Sequence, residues 1–132
     1  MAGRVLALDH GSARTGVAIS DPTGTIVTPL PAIERVGSRR GRRELERLIA
    51  EREVDRVVVG LPIGLSGADT DQTREARAFA AELAGRLGEA VPVELYDERF
   101  TTRMAQQTGG RRSDEDSRAA GVLLEEWLRT RR

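Results

Sequence analysis

The chain has 132 residues, with no cysteine, no lysine and a single histidine. Without cysteine, disulfides and thiolate-held metal sites are excluded. One histidine, His10, excludes any site built from clustered imidazoles. Oxygen ligands remain, and these favour hard cations such as Mg2+ or Mn2+. No secretory signal is visible, and no apolar run approaches the ~20 residues of a membrane span. The expectation is a cytoplasmic protein without a membrane partner. Formal net charge is zero, so the bulk field announces no polyanionic partner.

Apolar content of 39 % and charged content of 32 % fit a soluble globular protein. The length suits one domain, 1–132, with a real core. All 21 basic residues are arginine, whose fork pairs well with phosphate oxygens. Arg35, Arg39, Arg40, Arg42 and Arg43 form one cluster, and Arg129, Arg131 and Arg132 another. Each cluster also reads simply as a solvated helix end.

The stretch "VLALDHGSARTGVAIS" (5–20) is an apolar run that closes on Asp9, crosses small residues and resumes. It reads as strand one over 4–9, a turn over 11–16 with glycine at both ends, and strand two over 17–20. "DPTG" (21–24) is a turn, and 25–34 reads as strand three, placed at an edge by its prolines. Ser38 caps a helix with Leu45, Leu48 and Ile49 on one stripe. "VDRVVVGLP" (54–62) suits a strand covered on both faces. Residues 64–72 read as a loop into a helix bearing Phe79, Leu83 and Leu87, stopped by Gly88. Strand five follows over 91–98. Thr101 or Thr102 caps a short helix, "TGGRRS" (108–113) breaks it, and Ser113 caps a last helix to about Arg129. The pattern is a mixed sheet with helices on its faces.

If strands one, four and five run parallel, Asp9, the loop after Gly60 and the pair Asp97-Glu98 share one sheet edge, where open α/β sheets gather their sites. A carboxylate ending a buried strand must be paired, solvated or holding a cation. The last helix adds another carboxylate. Its apolar stripe is Ala119, Ala120, Leu123, Leu124, Trp127 and Leu128, and Asp116 heads it, whereas Asp114 and Glu115 point away. The helix dipole explains acidity in a first turn, but not acidity on the packing face. At "DER" (97–99) either carboxylate can turn inward, and Arg99 can neutralise one of them. Three carboxylates from separate elements repel one another unless a cation joins them. Such a cluster suits in-line phosphoryl transfer assisted by two metal ions about 4 Å apart, with water as nucleophile.

The motifs, taken in order, resemble those of the YqgF/RuvX family, described as Holliday-junction-resolvase-like proteins and pre-16S rRNA nucleases. They are Asp9, Gly11, Arg14 and Gly16; Ser20-Asp21; "VGLP" (59–62) with Gly67; "DERFTT" (97–102); and "DSRAA" (116–120). The resemblance implies a ribonuclease H-like α/β fold, a five-stranded mixed sheet in order 3-2-1-4-5 with strand two antiparallel. It implies a metal-dependent nuclease with Mg2+ or Mn2+, two ions, and catalytic Asp9, Glu98 and Asp116, with Asp97 beside them as a further metal ligand. Asp9 bridges the ions in this scheme. Phosphate contacts fall to Arg14, Arg99, Arg111 and Arg112. The glycine-rich segment with Gly60, Pro62 and Gly67 lies over the substrate backbone with Gly11; Thr101 and Thr102 either join it or only cap their helix. The implied substrate is structured nucleic acid: the 5′ end of pre-16S rRNA, or a four-way DNA junction. The loop before Asp116 is shorter here than in many family members, and His10 reads as a plain turn residue.

Two other readings stand beside this one. A catalytically weak RNA-binding module would keep the fold, since fold does not fix activity. "DHGSARTG" (9–16) also looks like the phosphate hairpin of sugar kinases and actin, but this chain lacks the length for a second lobe. Monomer and homodimer both remain open, because no stripe demands a partner.

Overall fold

The computed structural model describes residues 3–62, 69–97 and 112–131. Strands β1 (Arg4–Asp9), β2 (Arg14–Ser20) and β3 (Val27–Glu34) form a meander. They are followed by α1 (Arg39–Glu51), β4 (Val54–Leu61), α2 (Asp71–Leu87), a 3-10 turn at Gly88–Ala90, β5 (Val93–Asp97) and α3 (Arg112–Thr130). The five strands lie in the order β3-β2-β1-β4-β5. β2 is antiparallel to both neighbours, while β1–β4 and β4–β5 are parallel. The order and direction expected from the sequence hold, and proline-bearing β3 is an edge strand.

Strand alternation divides the core in two. Leu6, Leu8, Val57 and Val59 turn toward α1 and α2, joined by Leu45, Ile49 and Leu83. Val5, Ala7, Ala18 and Val58 turn toward α3, joined by Ala120, Leu123, Leu124 and Trp127. Each large side chain so buried stabilises the fold by about 1.5–3 kcal/mol. The alanines on the α3 side draw that helix close to the sheet. No helix among the described residues is long and apolar enough to cross a membrane.

Several boundaries differ from the sequence reading, for local reasons. β2 starts at Arg14 rather than at 17, because Gly16 serves the strand and not the turn. β3 starts at Val27, since Thr25 and Ile26 are held by Asp21, and β5 starts at Val93. α2 starts at Asp71, inside the stretch read as a loop. Thr70 caps it by accepting from Thr73 N, while Thr73 Oγ1 accepts from Thr70 N. α3 starts at Arg112, so Ser113 lies within the helix instead of capping it, while residues 108–111 of "TGGRRS" lie outside the described residues. Ser38 does cap α1, accepting from Gly41 N at 3.0 Å, and Gly88 ends α2 at φ 68°. The short helix expected after Thr101 or Thr102 lies outside the described residues.

Ser20 and Asp21 hold the meander together. Buried Ser20 Oγ accepts from Val5 N at 3.0 Å, where the β1–β4 register shifts. Asp21 Oδ1 accepts from Thr25 N and Ile26 N, each at 2.8 Å, and Thr23 Oγ1 donates to Oδ2. These bonds, that of Thr23 first, hold the Asp21 carboxyl at about 2, below the ordinary 3.8. A depressed carboxyl pKa adds stability above the ordinary range, which is lost as pH falls toward about 2. Asp21→Asn is therefore expected to melt below wild type at pH 7. The gap in Tm should close between pH 5 and pH 2; a gap that stays constant would show that ionisation of Asp21 contributes nothing.

Candidate active site

Because β2 alone runs against the others, β1, β3, β4 and β5 all end at one edge, at Asp9, Glu34, Leu61 and Asp97. Asp9 continues the Val5, Ala7 side of β1 and so lies on the α3 face. Its ladder partner on β2 is Gly16. A Cβ on Gly16 would lie 1.8 Å from the carbonyl oxygen of Asp116 and 2.3 Å from its carbon. Only glycine admits this approach, and the first turns of α3 rest directly on β2. Asp9 and Asp116, from opposite ends of the chain, thus border the same residue.

Arg14, two positions back along β2, faces the same way. Its Nε donates to Asp116 Oδ2 at 3.0 Å, with both side chains about one-third exposed (29 % and 33 %). A pair this accessible adds at most about 1 kcal/mol of stability. Its consequence is orientation: it holds the Asp116 carboxylate toward the β1–β2 hairpin.

Ser117 fixes the height of the helix. The β2–β3 ladder shifts register between Thr15 and Val17, where β3 carries Pro31, which has no N–H. The buried Ser117 hydroxyl enters this gap, donating to Leu30 O at 2.5 Å and accepting from Val17 N at 3.4 Å. It replaces a missing rung of the sheet and pins the residue next to Asp116. Sequence reasoning missed it; the available signal was a hydroxyl inside an otherwise apolar packing stripe.

The remaining expected residues divide. Gly11 tightens the hairpin turn, where a Cβ would lie 2.3 Å from Arg14 O. Gly60 lies on β4, level with Tyr96, and the Pro62 carbonyl accepts from Thr73 Oγ1 at the start of α2. Asp97 pairs with Leu61 at the end of β5. Alternation places it with Val93 and Leu95, on the side of the sheet opposite Asp9 and Asp116. Glu98, Arg99, Thr101, Thr102, Gly67 and Arg111 lie outside the described residues, as does the side chain of Arg112. Among the described residues no three acidic or imidazole groups meet as a metal site; Asp9 and Asp116 bring hard oxygens of the right kind for Mg2+ or Mn2+.

His10 is more than a turn residue. Its ring is half-buried against Phe79 of α2, with centroids 4.8 Å apart and planes tilted 30°. Burial lowers its pKa, opposed in part by Glu75. It is a neutral packing group at pH 7 and faces away from the Asp9 side.

Comparison with known proteins gives the family and the fold. Residues 3–130 match a family model described as "RuvX: Holliday junction resolvase". A protein of Thermobifida fusca, named "Putative pre-16S rRNA nuclease", is 45 % identical over 96 % of this chain and 87 % of its own. One of the same name from Koribacter versatilis is 39 % identical over 92 % and 83 %. Among solved structures, Thermus thermophilus RuvC in complex with a Holliday junction substrate superposes with a TM-score of 0.59 at 15 % identity, covering 98 % of this chain and 95 % of that one. The fowlpox virus Holliday junction resolvase reaches 0.62 at 10 % identity, covering 96 % and 99 %. At such identities the likeness is one of fold: the sheet and its helices are ribonuclease H-like.

Two variants test how Asp116 is positioned. Gly16→Ala must push α3 off β2, and is expected to lower stability by about 1–3 kcal/mol, as overpacking does. Ser117→Ala strands Val17 N–H and Leu30 C=O, at about 1–3 kcal/mol. Denaturant unfolding measures both, and wild-type midpoints for either variant would remove the contact from the account.

Proposed function

The chain belongs to the RuvX family, and from that premise we propose that this hydrolase of phosphodiester bonds acts on structured nucleic acid, trimming the 5′ end of a 16S rRNA precursor. The observation that supports this reading most is the convergence of Asp9 and Asp116 on Gly16 at the carboxyl edge of the sheet. Curated relatives at 39 % and 45 % identity carry the rRNA nuclease name.

Asp9 and Asp116 would hold the divalent cation, with Glu98 of the "DER" motif as the third carboxylate. Asp97 is the weaker choice for this role, because β5 directs it to the other side of the sheet. Mg2+ or Mn2+, when bound, would lower the pKa of a water and offset charge on the leaving oxygen. Arg14 neutralises Asp116 and lies where a phosphate oxygen would approach. Arg99, Arg111 and Arg112 are proposed as further phosphate contacts, and the segment with Gly60, Pro62 and Gly67 as the cover of the substrate backbone together with Gly11. Thr101 and Thr102 are proposed on the same strand of substrate. Water is the nucleophile in this scheme, since the chain has no cysteine and His10 packs on Phe79.

The family description favours a second substrate, a four-way DNA junction. Both are tested together. Purified wild type, Asp9→Asn and Asp116→Asn are incubated with end-labelled precursor rRNA and with a four-way junction, in Mg2+, Mn2+ or chelator. Wild type is expected to cut the precursor only with metal, and each variant to lose more than about 100-fold, beyond what partners outside the metal's own ligands cost. Equal cleavage by Asp9→Asn would overturn the mechanism. Cleavage of the junction alone would move the substrate to DNA, and metal-independent binding without cleavage would leave an RNA-binding module.

A further inference from the structure

The five-arginine cluster at 35–43 has no role in the hydrolytic site, yet it lies at the same sheet edge. β3 ends at Glu34, level with Arg14, and the Arg35 amide donates to Ala13 O at 2.9 Å. α1 therefore begins beside the Asp9 hairpin, on the opposite face of the sheet from α3. Two interstrand spacings of about 4.8 Å separate β3 from β1, so the head of α1 stands on the order of 10–20 Å from Asp9.

The arginines of α1 divide by the side they serve. Arg42 turns inward and pairs with Glu82 of α2 at 3.0 Å, and the acidic Glu46 is taken up by Arg86 at 2.7 Å. Arg39, Arg40, Arg43 and Arg47 are exposed and rim one open concavity together with Glu44. A second concavity, lined by Arg35, Ser38, Arg40, Glu34 and Glu44, continues it toward the end of β3. None of Arg35, Arg39, Arg40, Arg43 and Arg47 makes an ion pair among the described residues. In a chain of zero net charge, five outward arginines without ion pairs set beside only Glu34 and Glu44 form a local excess of positive charge. Arg39, Arg43 and Arg47 lie at i, i+4 and i+8, a rigid row about 12 Å long.

We propose that this row binds the phosphate backbone of a duplex arm of the substrate, flanking the strand that enters the Asp9–Asp116 edge. The proposal rests on the nucleic-acid reading above for its polymer. Guanidinium forks match phosphate oxygens. A duplex is favoured over a single strand because single-strand sites stack bases on aromatic rings, and no Phe, Trp or Tyr occurs between residues 11 and 78. The row offers charge without a stacking platform, which suits recognition of backbone and shape. Gly41 keeps the row in place: a Cβ there would lie 2.2 Å from Arg35 O, so the first turn of α1 sits on the turn that leaves β3.

The test is salt-dependent binding of a labelled RNA hairpin of about 20 base pairs, two turns of helix, in chelator so that no hydrolysis occurs. The triple variant Arg39→Gln, Arg43→Gln, Arg47→Gln is expected to bind about tenfold or more weakly, with its log K against log [salt] slope reduced by about 2–3. The matching triple arginine-to-lysine variant should recover most of the slope. Arg129→Gln with Arg131→Gln, which removes charge from the far helix, should leave it unchanged. An unchanged slope in the triple glutamine variant overturns the proposal, as does an equal loss in the Arg129, Arg131 variant or an equal loss on a single-stranded RNA. Failure of wild type to bind the hairpin overturns it too. If wild type cleaves nothing but the row still sets the slope, the hydrolase reading falls and the row stands.

Discussion

The contact on which the site depends is one between backbones. Gly16 presents no side chain to α3, and the Asp116 carbonyl occupies the space a Cβ would need. Any other residue there would force helix and sheet apart by the size of a methyl group. The consequence reaches past packing, because Asp9 is the ladder partner of Gly16. One missing methyl therefore sets how closely the backbones of Asp9 and Asp116, from opposite ends of the sequence, approach across Gly16. Alanines at 7, 18 and 120 continue the same close seam along the helix.

The same edge also gathers charge of both signs. Arg14 supplies one positive charge, and it does so from β2, the strand that also carries Gly16. On the proposed reading, a divalent cation would supply the further positive charge at this edge. Ser117 is the mechanical counterpart: it holds α3 in the gap of the β2–β3 ladder and so fixes the height of its neighbour Asp116.

Most of the architecture was legible in the sequence because long β-branched runs and helical stripes report burial directly. "VDRVVVGLP" could be little other than a strand covered on both faces, and Asp116 stood out as a charge on an apolar stripe. Gly16 was not legible, since a glycine permitting close approach and a glycine making a turn look alike in sequence. It was read as the end of a turn, and β2 was started three residues late. Ser117 escaped because its partners, Val17 N–H and Leu30 C=O, are backbone atoms orphaned by a bulge that no residue pattern announces. The start of α3 at Arg112 was missed for a similar reason, as Gly-Gly-Arg-Arg signals a break more strongly than a beginning. His10 looked like a loop residue because Phe79, its neighbour in space, lies on a distant helix.

The two faces of the sheet end up with different work at the same edge. On the α3 side, small residues seat the helix that carries Asp116 against the strand that pairs with Asp9. On the α1 side, exposed arginines spread positive charge over a wider surface. The hairpin turn joins the two, because the Arg35 amide is bonded to the Ala13 carbonyl one residue before Arg14. With zero net charge, the molecule as a whole exerts little long-range pull on a polyanion. At physiological salt the reach of any charge is about 8 Å. Recognition must then be local, made by arginines that already stand within about a helical turn of nucleic acid from the carboxylates. Because the β-ladder fixes that distance, a backbone seated on α1 as proposed would present its flanking phosphate at a set offset, and the position of attack would follow from the spacing of β3 and β1 rather than from base sequence.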